Sequence, residues 1–374
     1  MENMDIFNFN EQVEKVSDEA NKHDLAMLLE EFKRGHYPNV LSKSAQFRDK
    51  YNDNKELIKV LLLMEAISHA EIEEYKASAE IIQQLYGETD PIKTSELVML
   101  GELAFMCDYK LARRIMSTAV KQMEAVNESD RIKLARGYLV LGEIEEKLEK
   151  LVRAIKYYKQ GLTYFQNDDK RDKYMILYLH FKIGMLYTEK NAKAEAVEYL
   201  EKAIDLAGDY PEMKINSYVS LAKLYGSNND NEKAFPYLEQ ALKLLNDSTL
   251  TNTLIHAETL TEMAFYYFDQ SKLDSAIPYY KKAITIYNQL KVTSRRKLGM
   301  IYMQYAYCLE HKEKADKHLA GKNYENAIEQ LEKTNDPELL ENALADVISF
   351  FDAGNNTKKK RQYENKFVKM TTAN

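Results

Sequence analysis

Residues 179–204 read LHFKIGMLYTEKNAKAEAVEYLEKAI. Ala196, Leu200 and Ala203 follow one another at spacings of four and three, which keeps all three on one helical face. The triplet recurs as Ala154, Tyr158 and Gly161, as Ala234, Leu238 and Ala241, and as Ala276, Tyr280 and Ala283. Twelve residues before each leading alanine stands another small residue: Gly142, Gly184, Ala222 and Ala264. Tyr187, Tyr225 and Tyr267 come three positions after the last three of these. Small residues at facing positions let two helix backbones approach closely, and a ring fills the space beside them. The unit is therefore a helical hairpin, and the chain uses it repeatedly.

Composition agrees with a chain built this way. With 374 residues, 45% hydrophobic and 30% charged, it can bury a large core. Its 12 glycines and 6 prolines leave little turn chemistry for an all-β fold. The chain reads as all-α. The opening MENMDIFNFNEQVEKVSDE has no cationic segment followed by an apolar one, and no run reaches the length of a membrane span. A cytoplasmic location and no membrane contact are expected. Cys107 and Cys308 sit far apart within apolar helical runs and read as two buried free thiols. A net charge of −7 argues against nonspecific binding of nucleic acid by the whole surface.

The small-residue and tyrosine pattern resembles the tetratricopeptide repeat, with Gly184, Tyr187, Ala196, Leu200 and Ala203 matching its signature. The position often held by Trp is Tyr138, His180, Tyr218 and Leu260, and the closing proline is missing. The resemblance implies a right-handed superhelical solenoid of helix-turn-helix repeats. Weaker copies place Gly101 with Ala112, Met116 and Ala119, and Ala66 with Ala77 and Ile81, if the turn is one residue shorter. The sequence divides into an N-terminal helical cap (1–24), repeats over 25–320 that are clearest at 135–290, and a degenerate final repeat with a basic capping helix (321–374). Loops are read at 166–173 and 225–232. Pro236 and Pro278 are placed in the first turn of a second helix, where the missing N–H costs no bond. Pro337 begins a helix capped by Asp336, and TKKKRQYENKFVKM forms the last helix as a polar lid.

Catalytic motifs are not found. GETDPIKT (87–94) lacks the second glycine and the Gly-Lys-Ser/Thr ending of a phosphate loop, and there is no HExxH, CxxC or GxSxG. No enzyme activity, cofactor or metal is expected; His311 and His318 read as surface histidines. Glu143, Glu145 and Glu146 read as a solvated helix face. The basic cluster from Lys358 to Lys369 reads as the polar side of the capping helix, and the paired tyrosines as repeat packing.

Function then falls to the inner face of the first helices. Positions offset by −6, −3, −2 and +1 from each small residue should line it. They include Arg136, Glu143, Tyr178, Phe181, Lys182, Asn216, Lys223, Glu258, Glu262 and Phe265. Aromatic, apolar and charged groups together suit an extended segment of a protein or a short peptide. Lys182 and Asn216 stand apart, so the carboxylate clamp of chaperone-type tetratricopeptide domains is not supported. In length, long repeat period and end-to-end repeats the chain resembles the Rap-like peptide-pheromone receptors of Gram-positive bacteria. That resemblance implies a peptide-gated regulator acting on a second protein, as the alternative to a non-enzymatic binding scaffold.

Overall fold

In the computed structural model, residues 9–126, 130–167, 172–290 and 294–372 are described, and every regular element among them is an α-helix. The chain divides into two compact units, 1–183 and 184–374, with the division inside α10. Before it run α1 (Phe9–Val16), α2 (Lys22–Lys33), α3 (Tyr37–Lys50), α4 (Lys55–Glu71), α5 (Tyr75–Glu88), α6 (Thr94–Phe105), α7 (Tyr109–Ala125), α8 (Arg131–Lys147), α9 (Leu151–Gln166) and α10 (Lys173–Glu189). After it run α11 (Lys193–Leu206), α12 (Pro211–Ser227), α13 (Asn231–Asn246), α14 (Leu254–Asp269), α15 (Leu273–Leu290), α16 (Arg295–His311), α17 (Lys317–Leu331), α18 (Pro337–Ala353) and α19 (Thr357–Thr372). No helix among the described residues is long and apolar enough to cross a membrane. The fold is an all-α, tetratricopeptide-like repeat solenoid.

Each hairpin closes on the seam expected from the sequence. A Cβ added at Gly142 would come within 2.4 Å of the Tyr158 ring, and one at Gly184 within 2.7 Å of Leu200. Tyr158, Leu200, Leu238 and Tyr280 are all buried opposite Gly142, Gly184, Ala222 and Ala264. The spacing of twelve has a backbone cause. Seven residues after the small residue the chain turns left-handed, at Glu149 (φ 58), Asn191 (φ 54), Asn229 (φ 58) and Ser271 (φ 57). The next amide then reaches back to a carbonyl five residues earlier, as in Lys150 N–H to Glu145 O at 2.8 Å and Ala192 N–H to Tyr187 O at 2.9 Å. This is the Schellman closure of a helix C-terminus.

The same turn corrects the first weak copy. Glu73 (φ 66) lies seven residues after Ala66, so the spacing there is also twelve, and the residue opposite is Ser78 rather than Ala77. Ser78 is buried and its hydroxyl donates to Ala66 O at 2.7 Å, while Ile82, not Ile81, is the fully buried partner. Gly101 does use the shorter turn: a Cβ there would meet Met116 Sδ at 2.5 Å, and Asp108 caps α7 directly by accepting from the Lys110 and Leu111 amides. A further copy appears after residue 300. Ala320, Tyr324 and Ala327 repeat the triplet in α17 and are buried with Ala306 of α16. Its spacing of fourteen hides it from a search at twelve.

The two prolines are not in first turns. Helices α13 and α15 begin at Asn231 and Leu273, which puts Pro236 and Pro278 inside them, at the sixth residue of each. Each proline removes the bond to the carbonyl four residues back, Glu232 or Asp274. Both prolines and both of those residues are exposed, so water can replace the lost donor. Asp336 and Pro337 behave as expected, with the Asp336 side chain accepting from the Leu339 amide. Of the loop read at 166–173, residues 168–171 lie outside the described residues, as do residues 1–8 of the N-terminal cap.

Within the first unit α1 packs on α4. Phe9 stacks edge-on against Phe32 of α2 at 5.1 Å, and Gln12 donates to Met99 Sδ of α6 at 3.8 Å. The inner-face positions of α4 are Val60, Leu63, Met64 and Ile67, and all are buried in one cluster with Phe9 and Val13 of α1. In α6 and α8 the corresponding positions remain partly exposed.

Candidate functional site

The inner-face positions of the first unit come together along α6, α8 and the start of α10. Arg136 is exposed, and Glu143, Tyr178, Phe181 and Lys182 are half-buried. Lys182 Nζ lies 2.7 Å from Glu146 Oε1, and the other oxygen of Glu146 accepts from the Tyr158 hydroxyl at 2.7 Å. Glu143 accepts from the Tyr178 hydroxyl at 3.3 Å. Burial pushes the Glu143 carboxyl above the usual carboxylate range against the pull of Lys182. Lys182 is therefore not an open cation.

Beside these residues α6, α7 and α8 enclose a cleft of about 270 Å³. Val98, Met99, Met116, Met123 and Val140 supply its apolar lining, and Glu102, Lys133 and Arg136 its charges. Applied to Gly101, the offset rule selects Ser95, Val98, Met99 and Glu102, and all four line this cleft with Arg136 and Val140 of α8. Projection from the four clearest repeats alone selects only Arg136 and Val140 of this set, and the α6 residues need the Gly101 copy. Burial raises the Glu102 carboxyl, Arg136 opposes the shift, and Glu143 adds to it.

In the second unit Asn216 and Phe265 are half-buried and Lys223 is exposed on α12 and α14. Here the charges meet across neighbouring first helices. Lys223 Nζ lies 3.2 Å from Glu262 Oε1, and Lys297 Nζ of α16 lies 2.9 Å from Glu258 Oε1. Burial still lifts the Glu262 carboxyl, with Lys223 and then Lys297 pulling it down. Glu258 and Glu262 thus already hold their own counter-cations. Phe265 lies 6.1 Å from the buried Tyr280 ring and Phe268 5.6 Å from Tyr307, so both rings are engaged in the repeat.

Two sequence readings change. The glutamates of α8 are not a solvated face: Glu145 is buried at 3.9 Å from both Arg113 and Arg153, which tie α7 and α9 to it. Cys308 is buried, its thiol pushed up to about 12 by burial, whereas Cys107 is only partly buried. The basic face of α19 is largely engaged: Lys359 meets Glu325 at 2.6 Å, Lys360 meets Asp352 at 2.9 Å and Lys366 meets Glu332 at 2.6 Å. Among the described residues no group of three or more His, Cys, Asp or Glu could hold a metal ion.

The tetratricopeptide repeat family matches residues 214–289 and, through a second repeat type, residues 177–210. No curated protein matches the sequence. Among solved structures, the aspartyl phosphate phosphatase F of Bacillus subtilis is similar over 95% of this chain and 94% of its own, at 13% identity and a TM-score of 0.57. The apo form of the quorum sensor NprR from B. thuringiensis is similar over 94% of this chain and 99% of its own, at 16% identity and a TM-score of 0.55. The apo form of RapI covers 75% of this chain and 98% of its own, at 13% identity and a TM-score of 0.55. At these identities the likeness is one of fold, and it carries the resemblance to Rap-like receptors at the level of architecture.

Proposed function

We propose that this tetratricopeptide-repeat protein is a non-enzymatic scaffold that binds an extended protein segment or short peptide on the inner faces of its first helices. The observation that carries the reading is the cleft on α6, α7 and α8. Six inner-face positions on two successive first helices, Ser95, Val98, Met99, Glu102, Arg136 and Val140, line one apolar cavity with a charged rim. Such a surface can take a side chain while the charges fix register. Dodecapeptides selected from a random display library on the full chain provide the test. Val140→Asp should weaken their binding at least tenfold, and Lys243→Glu, on an exposed second-helix position, should leave it within twofold. Selected peptides that ignore Val140→Asp would sink the reading.

A peptide-gated regulator is the second reading, favoured by the contact between Gln12 of α1 and Met99 at the cleft wall. Occupancy of the cleft would then be felt by α1. Hydrogen exchange in α1 that is unchanged by a saturating selected peptide would remove it.

A further inference from the structure

Glu143 and Glu102 both stand on the inner face without an ion pair, but Glu143 accepts from the Tyr178 hydroxyl, whereas Glu102 lines the open cleft. Glu102 forms no ion pair within 4.0 Å of any described cation, although it is half-buried. Glu146, Glu258 and Glu262 all have a lysine against them. Lys133 and Arg136 line the same cleft but are exposed, so their charges are solvated at the rim while the carboxylate is half-buried, with Arg136 acting on it from there. Around Glu102 the walls are Val98, Met99, Met116, Met123 and Val140. Met116 and Met123 are buried behind the partly exposed Met99 and Val140, so a flexible thioether and a valine are what an incoming unbranched chain meets.

We propose that this cleft receives a lysine or arginine side chain of the bound segment, with its aliphatic stem against Met99 and Val140 and its cationic end at Glu102. The proposal rests on the inner face being the segment-binding surface. A purely apolar side chain would fill the cavity but strip more water from a carboxylate that has no partner, which costs free energy. A purely polar cation would leave the partly exposed Met99 and Val140 wet. A cation on an apolar stem satisfies both parts. Burial of Glu102, which already disfavours its charged form, is what an incoming cation would offset.

The test uses the full chain labelled at the methionine methyl groups and two single-side-chain probes, Nα-acetyl-lysinamide and Nα-acetyl-norleucinamide, which share an aliphatic stem but differ in the ammonium group. The lysine probe should shift the Met99, Met116 and Met123 signals and bind at least fivefold more tightly than the norleucine probe. In Glu102→Gln that preference should fall to within twofold. Equal binding of the two probes, tighter binding of norleucine, no shift from either, or a lysine preference that survives Glu102→Gln would each overturn the proposal. The comparison on the unmutated chain stands whatever the variant does to folding. If the probes fail while selected dodecapeptides remain sensitive to Val140→Asp, the basic-residue assignment falls and the inner-face reading stands. If those peptides also ignore Val140, the inner-face reading is what has failed.

Discussion

The inner faces of the two units use the same register and complete it differently. On α12, α14 and α16 lysines cross from one first helix to the next and meet Glu262 and Glu258. In the first unit Lys182 of α10 meets Glu146 of α8 in the same way. Glu102 and Glu143, however, are half-buried without an ion pair, acted on only from farther off by Arg136 and Lys182, and a cleft lies open beside Glu102. Gly142, Gly184, Ala222 and Ala264 hold the same place in each hairpin, so backbone geometry does not explain why Glu143 lacks a cation, while the Gly101 hairpin that carries Glu102 has a turn one residue shorter. The difference lies in which side chains project from a shared frame. Charges that satisfy one another belong to the scaffold, and a desolvated charge left unanswered is the one available for recognition.

If the frame is common, damage to its seam should hurt either unit alike. Gly142→Leu drives a side chain into the Tyr158 ring, and Gly184→Leu into Leu200, where even a Cβ comes within 2.4 and 2.7 Å. The opposing residues are fully buried and cannot swing into solvent. Each variant should lose about 3 kcal/mol or more, spread to neighbouring hairpins because a solenoid is held by nearest-neighbour interfaces. Thermal melts check it. A variant that melts within a degree of the parent would show that the two seams are not equivalent.

That seam was legible in the sequence because it is local: a small residue, a turn of fixed geometry and a buried partner recur at spacings of twelve and four. Where a turn changes length, the pattern drifts. Ala320, Tyr324 and Ala327 escape it through the longer turn after α16; Ala66 keeps the spacing of twelve, but a serine, Ser78, stands at the partner position, so the neighbouring Ala77 reads as the match. The prolines misled for a related reason, since a helix start is set by the turn before it and not by the proline itself. The charges were the least legible part. Glu262, Lys223, Glu258 and Lys297 come from three different helices, and nothing in the local sequence says that they pair. Glu145 was read as solvated because its two arginines lie on other helices, α7 and α9. Glu102 lies outside the four clearest repeats, and the same offset rule, carried one repeat upstream, selects it.

Charge reversal sharpens the contrast on the second unit. Glu262→Lys would place an ammonium beside Lys223, 3.2 Å from the present carboxylate, with Lys297 close enough to act on the same site. The Glu262 side chain is only 14% exposed, so the new charge has little water to turn to. The expected cost is about 2 kcal/mol, read as a lower melting temperature before any ligand is added. Any loss of binding in this variant must therefore be corrected for stability. Glu262→Lys melting like the parent would mean that the pairs on this face are ornamental, and the contrast between the units would lose its basis.

The smallest effect is also the one whose sign separates the two faces most directly. Burial raises the Glu102 carboxyl in the folded protein, so the folded state holds that proton to higher pH than the unfolded state, whose carboxylates titrate at about 4.3. Between the two values the folded state binds more protons, and stability falls as pH rises through that window. Above it the whole penalty of the buried charge is present. Glu102→Gln removes the charge and keeps the shape. It should melt above the parent at pH 7, and the gap should narrow as the pH approaches 4, where the carboxyl is mostly protonated in both the folded and the unfolded state. A removed scaffold pair would behave in the opposite sense, with the variant weaker at pH 7. Melts of Glu102→Gln across pH 4 to 7 decide between these. A variant that is less stable than the parent at neutral pH would mean that Glu102 already has its partner within the fold, and that the first unit completes its charges as the second one does.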